Sequence, residues 1–333
     1  MKKECLDIEL KIGGRQTQTL NFESRISNVE TGMLFVLLLL LILPAGHLKA
    51  QERRENVITF DIDFESLAIT LLSEGQGQGS IDILAGATEE MLKQTIPDGA
   101  FPNAVNAFLV EMGSKTILFD AGYGRELFDN LEAYGKTVAD IDAIMLTHMH
   151  GDHIGGLLRN NKKSFPAATL YIPKPEYDYW MSDEAMRKQP ESRRGGFIDA
   201  RNVIDAYKDN LRLFVPGTID ETDELLPGIR SIAAYGHTPG HTGYMLESNG
   251  SKIFIWGDLT HAMAIQTLYP EVAVTYDLDP AQAVKSRRQL LEYLSEEKIR
   301  IAGMHIQFPA IGDVRKNKAN GYDFILMCDC EGR

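Results

Sequence analysis

The stretch "LTHMHGDHIGG", residues 146–156, holds three of the chain's eight histidines together with one aspartate. Its first residue ends the apolar segment "DAIML", which predicts a buried strand. His148 and His150 are separated by one residue, so both side chains can leave the strand end toward the same point. Asp152 and His153 follow at once, and neighbouring residues in a turn point in divergent directions. The spacing therefore predicts a second metal site beside the first, since zinc, manganese and iron accept imidazole and carboxylate ligands.

Three further predicted strands end in residues that can bind a metal. The strand "IRSIAAY" is followed by His237, "IFIWGD" ends on Asp258, and "RIAGMH" ends on His305. Active sites in layered α/β folds collect at the ends of strands. Together with the first four residues, these make seven ligands, which is enough for two metals that share one carboxylate and one hydroxide.

Length, charge and cysteine content restrict the class of protein. The chain has 333 residues and is 44% hydrophobic, which is enough for a well-buried core. Its formal charge of −13 opposes general affinity for nucleic acid or for an anionic membrane surface. Its three cysteines, Cys5, Cys328 and Cys330, do not form a disulfide framework or a thiolate metal site. No G-x-S-x-G segment is present, which argues against a serine hydrolase.

The N-terminal residues differ in composition from the rest. Residues 33–43 form an unbroken apolar run that Pro44 ends. It is too short to span a bilayer as a helix and has the length of a secretory hydrophobic region. We therefore predict that residues 1–50 are an N-terminal extension with a signal-peptide-like run at 33–45. The exported protein, periplasmic or secreted, would begin near Gln51 without a stable membrane span, and residues 51–333 would form one catalytic domain. The 32 residues that precede the run exceed an ordinary leader, so a short membrane anchor or a misassigned start codon stays open.

The remaining sequence alternates between strand and helix patterns. Strands are predicted over residues 57–63 and 67–73, over "NAFLVEM" and "KTILFDAG" on either side of a turn at residues 113 and 114, and over "ATLYI", "GYMLES" and "YDFILM". Helices are predicted from "PEYDYW", over residues 199–209, and from Asp279 as N-cap with Pro280 in the first turn. This order favours an α/β sandwich with helices outside two β-sheets.

The motifs THMHGDH, GHTPGHT and GDL and the final histidine together resemble the metallo-β-lactamase-fold hydrolase superfamily, over roughly residues 56–327. The phrases "HIQFPAIGDVR" and "GYDF" are most similar to its exported methyl parathion hydrolase-like and lactonase-like branch. The resemblance implies a four-layer αββα sandwich with two sheets packed face to face. It also implies a dinuclear metal-dependent hydrolase that attacks an ester, lactone or phosphotriester bond with a metal-bridging hydroxide.

The same resemblance implies a role for each candidate residue. The first metal would be held by His148, His150 and His237. The second metal would be held by Asp152, His153 and His305, and Asp258 would bridge the two. His241 and Asp120 would support the ligands from behind, with Asp120 orienting a ligand histidine through its other ring nitrogen. The cofactors would be two divalent ions, zinc first, with manganese, cobalt or iron as alternatives.

Departures from related families narrow the reaction. Lactonases of the superfamily carry a tyrosine three residues after the bridging aspartate, where this chain has His261. An imidazole can replace the phenol as a hydrogen-bond donor to the substrate, which adds His261 to Asp152 and Asp258 as a catalytic candidate; a purely structural histidine is the alternative. Lactamases with two zincs place cysteine where Asp258 stands, so β-lactam hydrolysis is disfavoured. An iron-dependent redox enzyme, similar to persulfide dioxygenases, also stays open.

Aromatic residues between the ligands predict the substrate pocket. Trp180, Phe197 and Phe308 are expected to wall an apolar pocket over the metals. Such a pocket favours a neutral small molecule with an ester, lactone or phosphotriester bond, and a lactone or carboxylic ester is the expected natural substrate. The segment "GAFPNAVNAF" indicates either a homodimer interface or a substrate lid.

Overall fold

The computed structural model describes residues 7–11, 17–21, 56–63 and 67–327. The chain divides into two compact units, Met1–Glu52 and Arg53–Arg333. In the first unit, strands β1 (Asp7–Lys11) and β2 (Thr17–Asn21) form an antiparallel pair. The predicted apolar run at 33–45, the expected start near residue 51 and the three cysteines lie outside the described residues. Among the helices that the structure does describe, none combines the length and apolar character needed to cross a membrane.

The described part of the second unit is built from two large mixed sheets. In chain order its strands are β3 (Val57–Asp63), β4 (Leu67–Ser80), β5 (Leu84–Ala85), β6 (Ala100–Met112), β7 (Lys115–Phe119), β8 (Ala143–Met145), β9 (Leu158–Arg159), β10 (Lys162–Lys163), β11 (Thr169–Pro173), β12 (Leu211–Phe214), β13 (Glu224–Leu226), β14 (Ile229–Ala233), β15 (Thr242–Ser248), β16 (Ser251–Ile255), β17 (Ala273–Val274), β18 (Arg300–Ala302), β19 (Ile311–Lys316) and β20 (Tyr322–Leu326). The first sheet has the spatial order β12-β11-β8-β7-β6-β4-β3. The second has the order β13-β14-β15-β16-β18-β19-β20.

The helices come between and after these strands. They are α1 (Glu89–Thr95), α2 (Leu127–Tyr134), α3 (Gly151–Ile154), α4 (Lys174–Met181), α5 (Asp183–Lys188), α6 (Arg194–Tyr207), α7 (Met263–Gln266) and α8 (Pro280–Glu296). Helix α8 begins where the sequence predicts, because the Asp279 carboxylate accepts a hydrogen bond from the Gln282 N–H at 3.0 Å.

The two sheets pack face to face around one apolar core. Along β6, Phe108 and Val110 belong to the core that also contains Tyr244 and Phe254 of the second sheet. The rings of Phe119 in β7 and Tyr244 in β15 are 5.1 Å apart. Leu109 in β6 and Leu118 in β7 alternate with these residues and point the other way, toward a second core with α2 and α6. The predicted α/β sandwich with helices outside two sheets is therefore confirmed.

Several elements differ in extent from the sequence prediction. Strand β6 begins at Ala100 and β4 continues to Ser80, because the two strands pair along their whole length across a bulge between Ser73 and Gly75. The segment "GAFPNAVNAF" is thus part of β6. Helix α6 begins at Arg194 rather than Asp199. Strand β19 was not predicted, because the polar run "GDVRK" lacks an alternating apolar pattern.

The strand directions bring four strand ends to one edge of the sandwich. Strands β14 and β16 are both antiparallel to β15 and therefore run the same way, and β18 is parallel to β16. Strand β8 of the first sheet is parallel to β7 and β11. The segments that follow β8, β14, β16 and β18 carry the predicted ligands.

Candidate metal centre

The first group of predicted ligands forms a tight cluster. The Nδ1 atom of His150 lies 3.0 Å from His148 Nε2 and 3.0 Å from His237 Nε2. Asp258 Oδ2 lies 3.2 Å from His237 Nε2 and 3.6 Å from His148 Nε2. One ligand atom from each of these four residues lies within 4.8 Å of the others, so a single cation can reach all four.

The second group lies directly beside the first. Asp152, His153 and His305 also offer ligand atoms within 4.8 Å of one another. Asp258 connects the two groups, since its Oδ1 lies 3.1 Å from His153 Nε2 and its Oδ2 lies 3.1 Å from His305 Nε2. The structure thus brings the seven residues together in the two groups that the sequence resemblance implies, with Asp258 between them. A third possible group joins Asp258 and His305 with His261.

A very short helix and the residues just before it carry four of these ligands. His148 follows β8, His150 is the residue before α3, and Asp152 and His153 lie in the first turn of α3. The helix ends at two glycines that pass close to a neighbouring loop; a Cβ on Gly156 would lie 2.3 Å from the Ala121 carbonyl oxygen. The close packing fixes the direction in which the helix leaves the strand.

The ring nitrogens of His148 and His153 that face away from the cluster are held by hydrogen bonds. His153 Nδ1–H donates to Asp120 Oδ2 at 2.7 Å. The Thr147 hydroxyl donates to the same carboxylate at 2.7 Å and accepts from His148 Nδ1–H at 3.0 Å. Asp120 therefore orients His153 directly and His148 through Thr147. Both histidines turn Nε2 toward the cluster, as ligand histidines do.

Two more of the ligand histidines, His237 and His305, have partners that the sequence did not predict. His237 Nδ1–H donates to Asp277 Oδ1 at 2.9 Å, and His305 Nδ1–H donates to the Ala104 carbonyl oxygen at 2.8 Å. Asp277 is not part of any ligand motif and precedes a helix cap, so no local pattern distinguishes it. Both contacts join segments that are far apart in the chain.

His241 contacts the backbone of Asp258. Its Nδ1–H donates to the Ala234 carbonyl oxygen at 2.8 Å, and its Nε2 accepts from the Asp258 N–H at 2.8 Å. Burial lowers the pKa of His241 to about 3, and the nearby His237 adds to this effect. A neutral ring with one donor and one acceptor is the form that this geometry needs.

The charges in the cluster are strongly interdependent. Burial would raise the pKa of Asp258, but the imidazoles around it, led by His153 and His305, hold it well below its usual range. Burial would lower the pKa of His237, but hydrogen bonds to Asp258 and Asp277 raise it to about 9. At His150 the attraction of Asp152 and Asp258 does not offset burial, which lowers its pKa to about 3. The cluster therefore stabilises positive charge next to Asp258.

Two atoms at the centre of the cluster test whether a metal fits. His153 Nε2 and Asp258 Oδ1 are buried, and neither has a hydrogen-bond partner among the described residues. They face each other at 3.1 Å. Buried polar atoms are normally satisfied, and a divalent cation would satisfy both. The donor set of five imidazoles and two carboxylates also matches zinc, manganese or iron.

A cavity of about 490 Å³ opens above the cluster. Its wall includes Trp180 and Phe197, whose ring centroids are 4.7 Å apart. Phe308, the third predicted pocket residue, is placed elsewhere: it is half-buried against the core between the sheets and does not line the cavity. Its N–H donates to the exposed Gln76 Oε1 at 2.9 Å, and its ring packs on the core between the sheets instead of facing the cavity.

His261 lines the cavity beside the ligands. Its Nε2 lies 3.0 Å from Asp258 Oδ2, and its ring stacks on His305 with centroids 4.7 Å apart. Its Nδ1 has no hydrogen-bond partner in the described part of the chain. Tyr276, which the sequence did not indicate, lines the same cavity with its ring 5.0 Å from that of His261.

The fold and the cluster agree with comparisons to known proteins. Residues 100–303 match the model of the Metallo-beta-lactamase superfamily, which covers more than half of the chain, and the chain belongs to this superfamily.

Individual relatives show which proteins of the superfamily are similar. Anti-Pycsar protein Apyc1 of Paenibacillus sp. (strain J14) is 30% identical over 162 residues, 46% of this chain and 60% of that protein. The chain thus spans about three fifths of the length of the curated relatives it matches. The hydrolase AbOPH, described as in the beta lactamase superfamily, superimposes with a TM-score of 0.75 at 27% identity, covering 82% of this chain and 98% of its own.

A lactonase structure is also similar. AidC, a dizinc quorum-quenching lactonase solved in complex with a product, N-hexanoyl-L-homoserine, superimposes with a TM-score of 0.71 at 27% identity. The match covers 79% of this chain and 95% of AidC. These neighbours and the His/Asp cluster together support a metal-dependent hydrolase.

Proposed function

We propose that this protein is a dinuclear metal-dependent hydrolase that cleaves a lactone or carboxylic ester in a small molecule with an apolar substituent. The observation that carries the proposal is the pair of ligand groups sharing Asp258 at the base of a cavity walled by Trp180 and Phe197. The similarity to a dizinc lactonase supports the same reaction class. Cleavage of phosphotriesters would be incidental.

Two bound cations would supply an ionised water and polarise the scissile carbonyl oxygen. Asp152 lines the cavity and its side chain is 22% exposed, whereas the side chain of Asp258 is 3% exposed. Burial would raise the pKa of Asp152, but His153 and His305 lower it, so its carboxylate is ionised at neutral pH. Because this ionised carboxylate lines the cavity beside the other ligands, it can accept a proton and return it to the leaving oxygen.

Two side chains in the cavity can donate a hydrogen bond to the substrate oxygen. Burial lowers the pKa of His261 to about 4 despite the attraction of Asp258, so the ring is neutral and carries one N–H. That N–H faces Asp258 Oδ2 at 3.0 Å and would become available to the substrate oxygen once a bound cation engages the carboxylate. Burial raises the pKa of Tyr276, and the nearby carboxylates Asp258 and Asp152 raise it further, so its phenol stays protonated. Donors placed near a developing oxyanion typically contribute about 10²- to 10³-fold to rate.

The aromatic wall of the cavity favours substrates that carry an apolar substituent. Trp180 and Phe197 are buried and packed on each other, so they present a rigid apolar surface. A flexible acyl or aryl substituent would bury against this surface while its ester lies over the ligands. A compact polyanion would leave the same surface exposed to water and is disfavoured.

Metal content and turnover test the proposal together. The purified full-length chain would be analysed for metals and assayed on a lactone, an aryl ester and a phosphotriester. We expect two equivalents of zinc, manganese or cobalt and chelator-sensitive turnover, strongest on the lactone or ester. His148→Ala should abolish turnover while the circular dichroism spectrum is retained. Full activity in this variant, or tightly bound iron without hydrolysis of any substrate, would contradict the proposal that the protein is a hydrolase.

We also propose that the protein is exported, which is supported by the composition of residues 33–45. Expression of the full-length chain in a bacterium, followed by N-terminal sequencing of the extracytoplasmic fraction, tests this. A mature N-terminus near Gln51 is expected, and an unprocessed chain confined to the cytoplasm would contradict it.

A further inference from the structure

Glu176 is a fully buried carboxylate that belongs to no ligand motif. It lies in α4 and its relative exposure is 0%. Charged side chains are rarely buried in this way unless they are paired. Glu176 instead accepts four hydrogen bonds from uncharged donors. Its Oε1 accepts from the Met149 N–H at 3.0 Å and from Trp180 Nε1–H at 2.6 Å, and its Oε2 accepts from the Thr238 hydroxyl at 2.6 Å and from the Gly240 N–H at 2.9 Å.

The four donors belong to the parts of the site that must be held together. Met149 stands between His148 and His150 in the first ligand loop, which follows β8 of the first sheet. Thr238 and Gly240 lie in the loop of His237, which follows β14 of the second sheet. Trp180 is one helical turn after Glu176 and forms the cavity wall. A single carboxylate therefore links two ligand loops from different sheets and one substrate-facing ring.

The backbones around Glu176 are in close contact. A Cβ on Gly240 would lie 2.2 Å from the backbone nitrogen of Glu176. The loop of His237 thus rests directly on α4. The ring of Trp180 meets that of His150 edge-on, with centroids 5.8 Å apart. Small movements of this carboxylate would be transmitted to both His150 and His237.

We propose that Glu176 is a positioning residue: it sets the relative placement of the two loops that supply His148, His150 and His237, and it fixes the orientation of Trp180. The inference rests on the proposed function insofar as these histidines hold a metal. It assigns Glu176 no contact with the substrate or with the metal. None of the residues of the other ligand group, Asp152, His153 and His305, is among the four donors to Glu176 in the described part of the chain.

A carboxylate is required because all four partners are donors. In Glu176→Gln the side chain keeps one oxygen and gains an amide that can only donate. If the amide turns toward Met149 and Trp180, it meets two N–H donors that it cannot satisfy. If it turns toward Thr238 and Gly240, the Thr238 hydroxyl can rotate to accept, but the Gly240 N–H loses its acceptor. At least one hydrogen bond of the link is therefore lost at almost constant side-chain volume.

The test compares Glu176→Gln with Asp178→Asn in the full-length chain. Asp178 lies on the same helix, is exposed and pairs with Lys174, so it is a matched control. Zinc would be titrated into chelator-treated protein against a chromophoric competitor, which reports the affinity of each equivalent. We expect Glu176→Gln to weaken one of the two equivalents about 10- to 100-fold, as loss of an outer partner of a ligand does, and to leave the other within about twofold. Asp178→Asn should match the parent.

Tryptophan emission gives a second readout that does not depend on activity. The chain has two tryptophans, Trp180 and Trp256, and the difference between the parent and Trp180→Phe assigns the signal of Trp180. We expect Glu176→Gln to shift that component, because the indole loses or changes its acceptor. A role confined to fold stability would lower the unfolding temperature without changing one metal equivalent more than the other.

Each outcome decides the inference. Unchanged affinity of both equivalents, or equal weakening of both, would overturn it. If Glu176→Gln does not fold, Thr238→Val removes one donor from the His237 loop and should weaken the same single equivalent by a smaller factor; unchanged binding there would also overturn it. If the parent protein binds two metals but hydrolyses no substrate, the proposed hydrolase function is wrong and the positioning role of Glu176 is still tested. If the parent binds no metal, both proposals are wrong.

Discussion

His261 has a buried ring nitrogen without a hydrogen-bond partner among the described residues, and it lines the cavity. Its Nε2 lies 3.0 Å from Asp258 Oδ2, and its Nδ1 has no hydrogen-bond partner within the described residues. The sequence left two roles open for this residue, a donor to the substrate or a structural histidine. The geometry places it close enough to the ligands for the first role, and kinetics can separate the two.

We expect His261→Leu to lower kcat on a lactone about 100- to 1,000-fold with little change in KM, because a donor to the reacting oxygen acts mainly in the transition state. His261→Gln keeps an N–H donor and should recover part of the loss. Steady-state kinetics on metal-loaded protein measure both. An unchanged kcat in His261→Leu would assign a structural role to the residue.

His241 makes stability depend on pH. In the folded chain burial lowers its pKa from an ordinary value of 6.5 to about 3, so the ring is neutral. In the unfolded chain the ring takes up a proton as the pH falls below about 6.5. Because the unfolded state then binds more protons, stability is fully present above that pH and is lost as the pH falls toward 3.

We expect the parent to lose about 1.4 kcal/mol of unfolding free energy per pH unit more than His241→Asn below pH 6.5. Urea unfolding of chelator-treated protein at several pH values measures this difference. Parallel pH profiles for the two proteins would contradict the prediction.

At the scale of elements, the loop between β14 and β15 depends on close backbone contacts. Gly236 has a φ of 126°, and a Cβ there would lie 2.0 Å from the Ala283 backbone nitrogen in α8. The carbonyl oxygen of Gly236 itself accepts a hydrogen bond from the Asp279 N–H at 2.9 Å, and Asp279 is the residue just before that helix begins. The ligand loop is therefore built against the start of α8.

We expect Gly236→Ala to destabilise the protein by about 2 to 4 kcal/mol, because the backbone strain and the overlap with α8 act together. Gly195→Ala is the matched control: it lies in α6 with nothing within 4 Å of a new Cβ, and should stabilise by about 0.4 to 1 kcal/mol. Denaturant unfolding of both variants tests this. Equal effects would show that the Gly236 contact relaxes at little cost.

At the scale of the whole molecule, the ligands come from both sheets. His148 and His150 follow β8 of the first sheet, whereas His237, Asp258 and His305 follow strands of the second. Metals bound there would cross-link the two halves of the sandwich. Ligands that bind only the folded state stabilise it by mass action.

We expect chelation to lower the unfolding temperature by about 10 °C, because metal at a thousand times its Kd adds about 4 kcal/mol of stability. Differential scanning calorimetry with and without chelator measures the shift. A double variant, His148→Ala with His153→Ala, lacks one ligand from each group and should show little response. A parent that melts at the same temperature in both conditions would contradict a bound metal.

The local sequence was sufficient for most of the long apolar strands, the layered fold class and the ligand motifs. Apolar runs and alternation report burial directly, so β3 was predicted with its observed bounds, and Asp279 with Pro280 specified the start of α8. The ligand cluster was visible because four of its residues lie within six positions of the chain. Those features depend on neighbouring residues, whose spacing fixes the direction of their side chains.

The packing of distant segments was decided only by the tertiary structure. Asp277 meets His237 across 40 residues, and Ala104 meets His305 across 201. Glu176 and Tyr276 reach the site from segments without a ligand motif, and Phe308 leaves the cavity for the core. Such contacts depend on the face-to-face packing of the two sheets, and no periodic pattern in the sequence encodes them. A buried hydrogen bond fixes where its two partners must lie in the fold. It places no requirement on the residues next to either partner in the sequence.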